Sequence, residues 1–128
     1  MILTVDFETD TALYLQIRNQ IVQAIAVGDL VPGDPLPSVR QLGEDLGINM
    51  HTVNKSYNLL KQEGFISVHR RKGVVIRTFE ELSADDGFES RLRESLTPLL
   101  AEAICRGFDA ARIESICREL HSSLRKGE

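Results

Sequence analysis

The chain has 128 residues, 42% of them hydrophobic, which suits one small domain, alone or with an appendage. No run approaches the roughly 18 apolar residues of a membrane span, and no basic region followed by an apolar core opens the chain, so a cytoplasmic protein without a membrane partner is expected. The formal net charge of −4 by itself argues against a polyanionic partner, but residues 80–128 hold 11 acidic and 7 basic side chains while residues 38–77 hold seven basic and three acidic ones, and it is the local patch that meets a ligand.

In chain order, Ile2–Val5 reads as a short apolar strand and Asp6–Asp10 as a polar lead-in. From Thr11 to Val27, Leu13, Ile17, Ile21, Ala24 and Ile25 recur with the helical period, and Gly28 stops the helix. Leu30–Pro37, with three prolines and a glycine, reads as an ordered connector. Ser38 and Gln41 form a capping box that opens a helix from Ser38 to about Leu46, burying Val39, Leu42 and Leu46, and Gly47 ends it. Asn49 is a suitable N-cap for the next helix, which runs to about Glu63 with Val53, Tyr57 and Leu60 as its inward stripe. Its outer stripe, His51, Asn54, Lys55 and Asn58, is polar or basic throughout. Gly64 stops this helix. Phe65–Val68 and Val74–Ile76 are rich in strand formers, and His69–Gly73 between them is a cationic hairpin tip.

Thr78–Gly87 is acidic and polar and reads as a linker. Beyond it, Phe88, Leu92, Leu96, Leu99, Leu100, Ala103 and Ile104 make one apolar face, and Ile113, Ile116, Cys117, Leu120 and Leu124 make another. Gly107-Phe108-Asp109 between them reads as a helix-terminating glycine, an apolar fold-back and a new N-cap, which predicts a helical hairpin. Pro98 should kink or divide its first arm. A hairpin of this length cannot cover both faces and is too short to enclose a drug-sized cavity. Leu92, Leu96, Leu99, Leu100, Ile104, Ile113, Ile116 and Leu120 are therefore assigned to a homodimer interface; the alternative is a hairpin folded back to thicken the N-terminal core. Cys105 and Cys117 are expected as reduced, buried thiols, and no metal site or cofactor is expected.

The expected fold is mainly helical α+β: a winged helix-turn-helix over residues 1–78, a linker over 79–87 and a dimerisation hairpin over 88–128. A short capped helix beside one with an Asn-, His- and Lys-bearing outer face suits base reading in a major groove, with the wing reaching the minor groove or backbone. Asn54 can bond an adenine through its amide, Met50 can pack on a thymine methyl, His51 suits the backbone, and Arg40 either holds a phosphate or pairs with Glu44. No glycine-rich phosphate loop, nucleophile elbow or histidine–carboxylate cluster supports an enzyme. A winged helix used only for protein contact would carry a neutral or apolar outer stripe, unlike this one.

Leu13-Tyr14-Leu15-Gln16-Ile17, Gly28–Gly33, Leu36–Arg40, Leu46–Asn49, Thr52-Val53, Tyr57, Leu60, Glu63–Ile66 and Lys72-Gly73 resemble, in order, the DNA-binding domain of the GntR family of bacterial transcription regulators. The tail, with Ala103–Gly107 leading into Phe108-Asp109, resembles the YtrA subfamily, whose members lack the large effector domains of their relatives. The resemblance implies a dimeric repressor of a near-palindromic double-stranded operator, often that of a membrane-transporter operon; it names no small-molecule effector. By the same resemblance Ser38 and Arg40 would hold the DNA backbone. Asn49, Met50, His51, Thr52 and Asn54 would approach phosphates and bases, and Arg70, Arg71, Lys72 and Gly73 would form the wing tip. Lys55 joins this set from the outer stripe. Met50 and Asn54 depart from the family's commoner arginine or other polar base readers, and Arg71 stands where glycine is usual.

Overall fold

The computed structural model describes residues 2–77 and 87–125. Among these, the order is α1 (Leu13–Val27), α2 (Val39–Leu46), α3 (Met50–Gln62), β1 (Ile66–His69), β2 (Gly73–Ile76), α4 (Phe88–Cys105) and α5 (Ala110–Leu124). The expected linker and Thr78 lie outside the described residues, Gly87 excepted.

The core sits where α1 and α2 both pack on α3. Ile17 and Ile21 of α1 and Val53 and Leu60 of α3 are fully buried, and Leu42 of α2, Ile66 and Ile76 nearly so. Each such side chain contributes about 1.5–3 kcal/mol relative to exposure. Val39 and Leu46 are only half-buried, so of the three residues expected inward from α2, Leu42 alone belongs to the sealed interior.

Stops and starts follow the local chemistry. Gly28, Gly47 and Gly64 adopt left-handed φ of 88°, 69° and 89° where α1, α2 and α3 end. After α3, Phe65 N–H donates to Leu60 O at 2.9 Å, closing a Schellman turn that aims the chain into β1. The helix expected to begin at Ser38 begins at Val39, with Ser38 as its cap. The capping box forms only in part: Ser38 Oγ accepts from Gln41 N–H at 3.1 Å, while the Gln41 amide donates forward to Asp45 at 2.7 Å instead of back to Ser38.

Residues 2–5 do not form the expected strand. Their backbone is tied to side chains of α1 instead: Gln20 exchanges two hydrogen bonds with Thr4, and Gln16 exchanges two with Asp6. A glutamine amide offers the same donor–acceptor pair as a peptide group, so two glutamines one turn apart stand in for a neighbouring strand. The connector is ordered as expected. Gly33 N–H donates to Ile76 O, Ile76 N–H to Asp34 O and Leu36 N–H to Val74 O, which lays residues 33–36 along β2 as a third, strand-like edge. In the wing, β1 and β2 pair antiparallel from Ile66↔Ile76 to His69↔Gly73.

In the tail, Pro98 does not divide α4, which runs unbroken through it. The turn between α4 and α5 forms as the sequence predicts: Gly107 has φ 88°, Phe108 N–H donates to Ala103 O, and Asp109 accepts from Arg112 N–H at 2.8 Å. The two helices nevertheless share no extensive interface; α5 lies against α1 instead. The first half of α4 faces the corner made by Arg18, Glu63 and Phe65 across an open cleft of about 460 Å³ that the tail forms with the winged helix and could not form alone. Neither tail helix has a buried residue. Cys105 and Cys117 are exposed, contrary to expectation, because no other element covers the parts of α4 and α5 that carry them.

Candidate nucleic-acid interface

The helix pair α2–α3 is built for close approach. Gly43, buried on α2, faces the turn, and a Cβ added there would lie 3.1 Å from Ile48 O and 3.2 Å from Met50 Cα. Ile48 N–H donates to Gly43 O at 2.9 Å, so the turn is bonded to the residue it crowds. Asn49 then caps α3, its Oδ1 accepting from His51 N–H at 2.8 Å. This use leaves the amide NH₂ as a donor for a phosphate or base.

Two buried polar contacts fix how α3 is held. Ser56, fully buried, donates its hydroxyl to Tyr14 O on α1. Tyr57, 4% exposed, donates its phenol to Pro37 O at 2.7 Å, tying α3 to the residue before the α2 cap. Burial pushes the Tyr57 phenol well above its ordinary range, because the phenolate would lack solvation there. With one side of α3 bound to α1 and the other to the connector, its remaining arc is outward. His51, Asn54, Lys55 and Asn58 are all exposed, whereas Thr52 and Met50 are half-buried at the start of the helix.

Arg40, Glu44 and Met50 line a shallow depression together with Gly43, Gly47 and Ile48. Arg40 is exposed and does not pair with Glu44; its charge faces solvent beside the start of α3. At the wing, Arg70, Arg71 and Lys72 form an exposed three-residue turn with no acidic partner among the described residues. Gly73 takes the left-handed φ of 72° and no non-glycine residue among the described residues has positive φ, so Arg71 is accommodated without strain. Arg40 and Met50 thus line one depression at the start of α3, with Ser38 capping α2 nearby in the chain, and Arg70, Arg71, Lys72 and Gly73 lie at the hairpin tip. Lys55 is placed differently: its ammonium lies 4.1 Å from the centre of the Tyr14 ring.

Reading the sequence alone misses Gly43, Ser56 and Tyr14. Gly43 carried a usable signal, since a glycine inside a helix costs about 1 kcal/mol against alanine and so implies a packing reason. Ser56 and Tyr14 carried none, because their partners are set by how α1 crosses α3.

Of the eight residues assigned to a dimer interface, Ile113 is half-buried and the other seven are exposed, Leu99 and Ile104 to 66% and 67%. These exposed apolar side chains on α4 and α5 are the kind of surface that commonly marks an interaction site. Among the described residues no three His, Cys, Asp or Glu side chains are grouped to hold a metal, and no helix is long and apolar enough to cross a membrane.

Residues 13–76 match the bacterial regulatory proteins of the gntR family, from the start of α1 to the end of β2. The chain is 29% identical over 124 residues to the HTH-type transcriptional repressor YtrA of Bacillus subtilis, covering 97% of this chain and 95% of that protein. Among solved structures, YtrA from Sulfolobus acidocaldarius, a GntR-family transcription factor, is 42% identical with a TM-score of 0.64, over 79% of this chain and 99% of the other. A transcriptional antiterminator from Listeria monocytogenes superposes with a TM-score of 0.88 at 21% identity, over 97% of this chain and 92% of the other, a likeness of fold that includes the two-helix tail.

Proposed function

The chain belongs to the GntR family of transcription regulators, with a YtrA-like tail, and from that premise we propose that it is a cytoplasmic, dimeric repressor that binds a near-palindromic operator, such as that of a membrane-transporter operon. Residues 1–78 serve as the DNA-binding domain and 88–128 as the dimerisation element. The observation that carries this reading is the outward arc of α3, polar throughout, with exposed Arg40 beside its start and without an acidic partner among the described residues. In use, α3 enters the major groove. Ser38, Arg40, Asn49 and Thr52 hold the backbone at its start, while Met50 and Asn54 read bases and His51 supports the backbone contact. Arg70, Arg71, Lys72 and Gly73 reach the neighbouring minor groove or phosphates.

A single short helix gives weak discrimination, and two copies on one frame supply the rest. The bare apolar surface of α4 and α5 supports that frame: a partner's matching surface would cover Leu92, Leu96, Leu99, Leu100, Ile104, Ile116 and Leu120. Two measurements test the reading. Sedimentation at micromolar concentration should give twice the chain mass of 14.3 kDa, and affinity for a selected genomic site should fall steeply with salt. A monomer would overturn the dimer, and salt-insensitive binding or none would overturn the DNA interface. The alternative, a winged helix for protein contact alone, predicts no binding to any duplex.

A further inference from the structure

Lys55 stands apart from the rest of the outward arc of α3. Its ammonium is over the ring of Tyr14, in the first turn of α1, at 4.1 Å. The next residue, Ser56, is bonded to Tyr14 O, so the flank of α3 that bears Lys55 is the flank on which α1 lies. Tyr57 is bonded to the connector on the other flank. Successive residues turn about 100° around a helix, which puts His51 and Asn58 at the middle of the arc, Asn54 toward the connector side and Lys55 toward α1.

We propose that Lys55 grips a DNA phosphate at the margin of the groove, not a base, and that Tyr14 is the residue that positions it. The inference rests on the DNA-binding reading above and assigns a part of it to α1. With the two assigned base readers, Met50 and Asn54, on the connector side of the arc, the opposite side, toward α1, is the one left to meet a backbone. Lysine suits a backbone contact, since its ammonium is a point charge without the forked geometry that fixes a base pair's identity. Its four-carbon stem is flexible, and an aromatic face beneath the charge restricts that freedom before DNA arrives while leaving the far side of the ammonium open. Tyr14 is half-buried and Lys55 exposed, as this arrangement requires.

The test is a set of operator titrations across a salt series, using the full chain and the variants Lys55→Ala, Tyr14→Leu, Tyr14→Phe and the Lys55→Ala/Tyr14→Leu double. Lys55→Ala should reduce the salt slope by about 0.9 per half-site. It should weaken binding to the operator and to base-substituted operators by the same factor. Tyr14→Leu should weaken binding about two- to fivefold per half-site, in the presence of Lys55 only, and Tyr14→Phe, which keeps the ring, should bind as the parent does. Relaxed preference at one base pair in Lys55→Ala would make Lys55 a base reader and overturn the proposal. A Tyr14→Leu loss that persists without Lys55 would make Tyr14 a packing residue and overturn it equally. If the parent chain binds no duplex, it is the DNA-binding reading that fails first.

Discussion

Replacing Gly43 with alanine should loosen the helix pair and weaken operator binding. The new methyl would meet Ile48 O at 3.1 Å, Met50 Cα at 3.2 Å and Met50 N at 3.3 Å, all backbone atoms that no rotamer change can move. Reaching a comfortable separation of about 3.5 Å requires the turn to retreat by about 0.2–0.4 Å. The turn is bonded to the same residue through Ile48 N–H and Gly43 O, which resists that movement. Overpacking of this kind costs about 1–3 kcal/mol, and alanine in a helix interior returns about 1 kcal/mol, so the net loss is centred near 1 kcal/mol. For a domain of this size that lowers Tm by about 4–8 °C, readable by circular dichroism. The displaced atoms begin α3, so Asn49 and His51 move with them, and affinity measured well below the Tm should fall by about tenfold, the equivalent of one impaired base contact. A variant as stable as the parent that also binds as tightly would show that the turn yields freely, and would refute the role assigned to Gly43.

Tyr57→Phe should cost about 0.5–1.5 kcal/mol, seen as a lower urea midpoint at unchanged slope, because Pro37 O loses its donor. Burial keeps the Tyr57 phenol protonated beyond its ordinary range in the folded state, so stability should decline as pH rises past about 10, and the phenylalanine variant should show a shallower decline; identical profiles would count against the buried bond. Arg40→Ala should weaken binding to all sequences alike, whereas Asn54→Ala should lose about 1–3 kcal/mol of preference at one base pair per half-site, and competition with a panel of substituted operators separates the two.

What could be read from the chain alone was whatever depends on neighbours in sequence. Ser38, Asn49 and Asp109 each cap the helix they precede, and Gly28, Gly47, Gly64 and Gly107 each adopt left-handed φ near a helix end. A cap or stop is set by three or four adjacent residues, so the pattern suffices. The failures share the opposite property. Ile2–Val5 has strand-like composition, yet a strand needs a partner, and the partner offered is a pair of glutamine side chains. Cys105 and Cys117 belong to helices with an apolar face, but burial needs a facing layer, which the monomer does not supply. Tyr14 was legible as a helical residue and as part of the family resemblance but not as a partner of Lys55, 41 positions away in the chain yet 4.1 Å from it in space.

The contacts of the tail bear on how the dimer proposed above would be coupled to DNA reading. α5 lies on α1, and α1 lies on α3, so any bundle formed by α4 and α5 is two packing steps from the outward arc of α3. A third link is polar: Arg18 of α1 holds Glu63, at the end of α3, through two bonds of 2.9 and 3.1 Å, and its guanidinium lies over the Phe65 ring. The same three residues face Phe88, Arg91, Leu92 and Ser95 of α4 across the cleft. The Arg18–Glu63 pair is partly exposed and adds little stability by itself, at most about 1 kcal/mol. Its importance is directional, because a two-bond clasp fixes the angle between α1 and the end of α3 better than apolar contact alone. In the proposed dimer, a clasp of this kind in each subunit would hold its copy of α3 at a set angle to the frame, and a set separation of the two copies is what would distinguish half-sites one duplex turn apart, about 34 Å, from the same half-sites spaced otherwise.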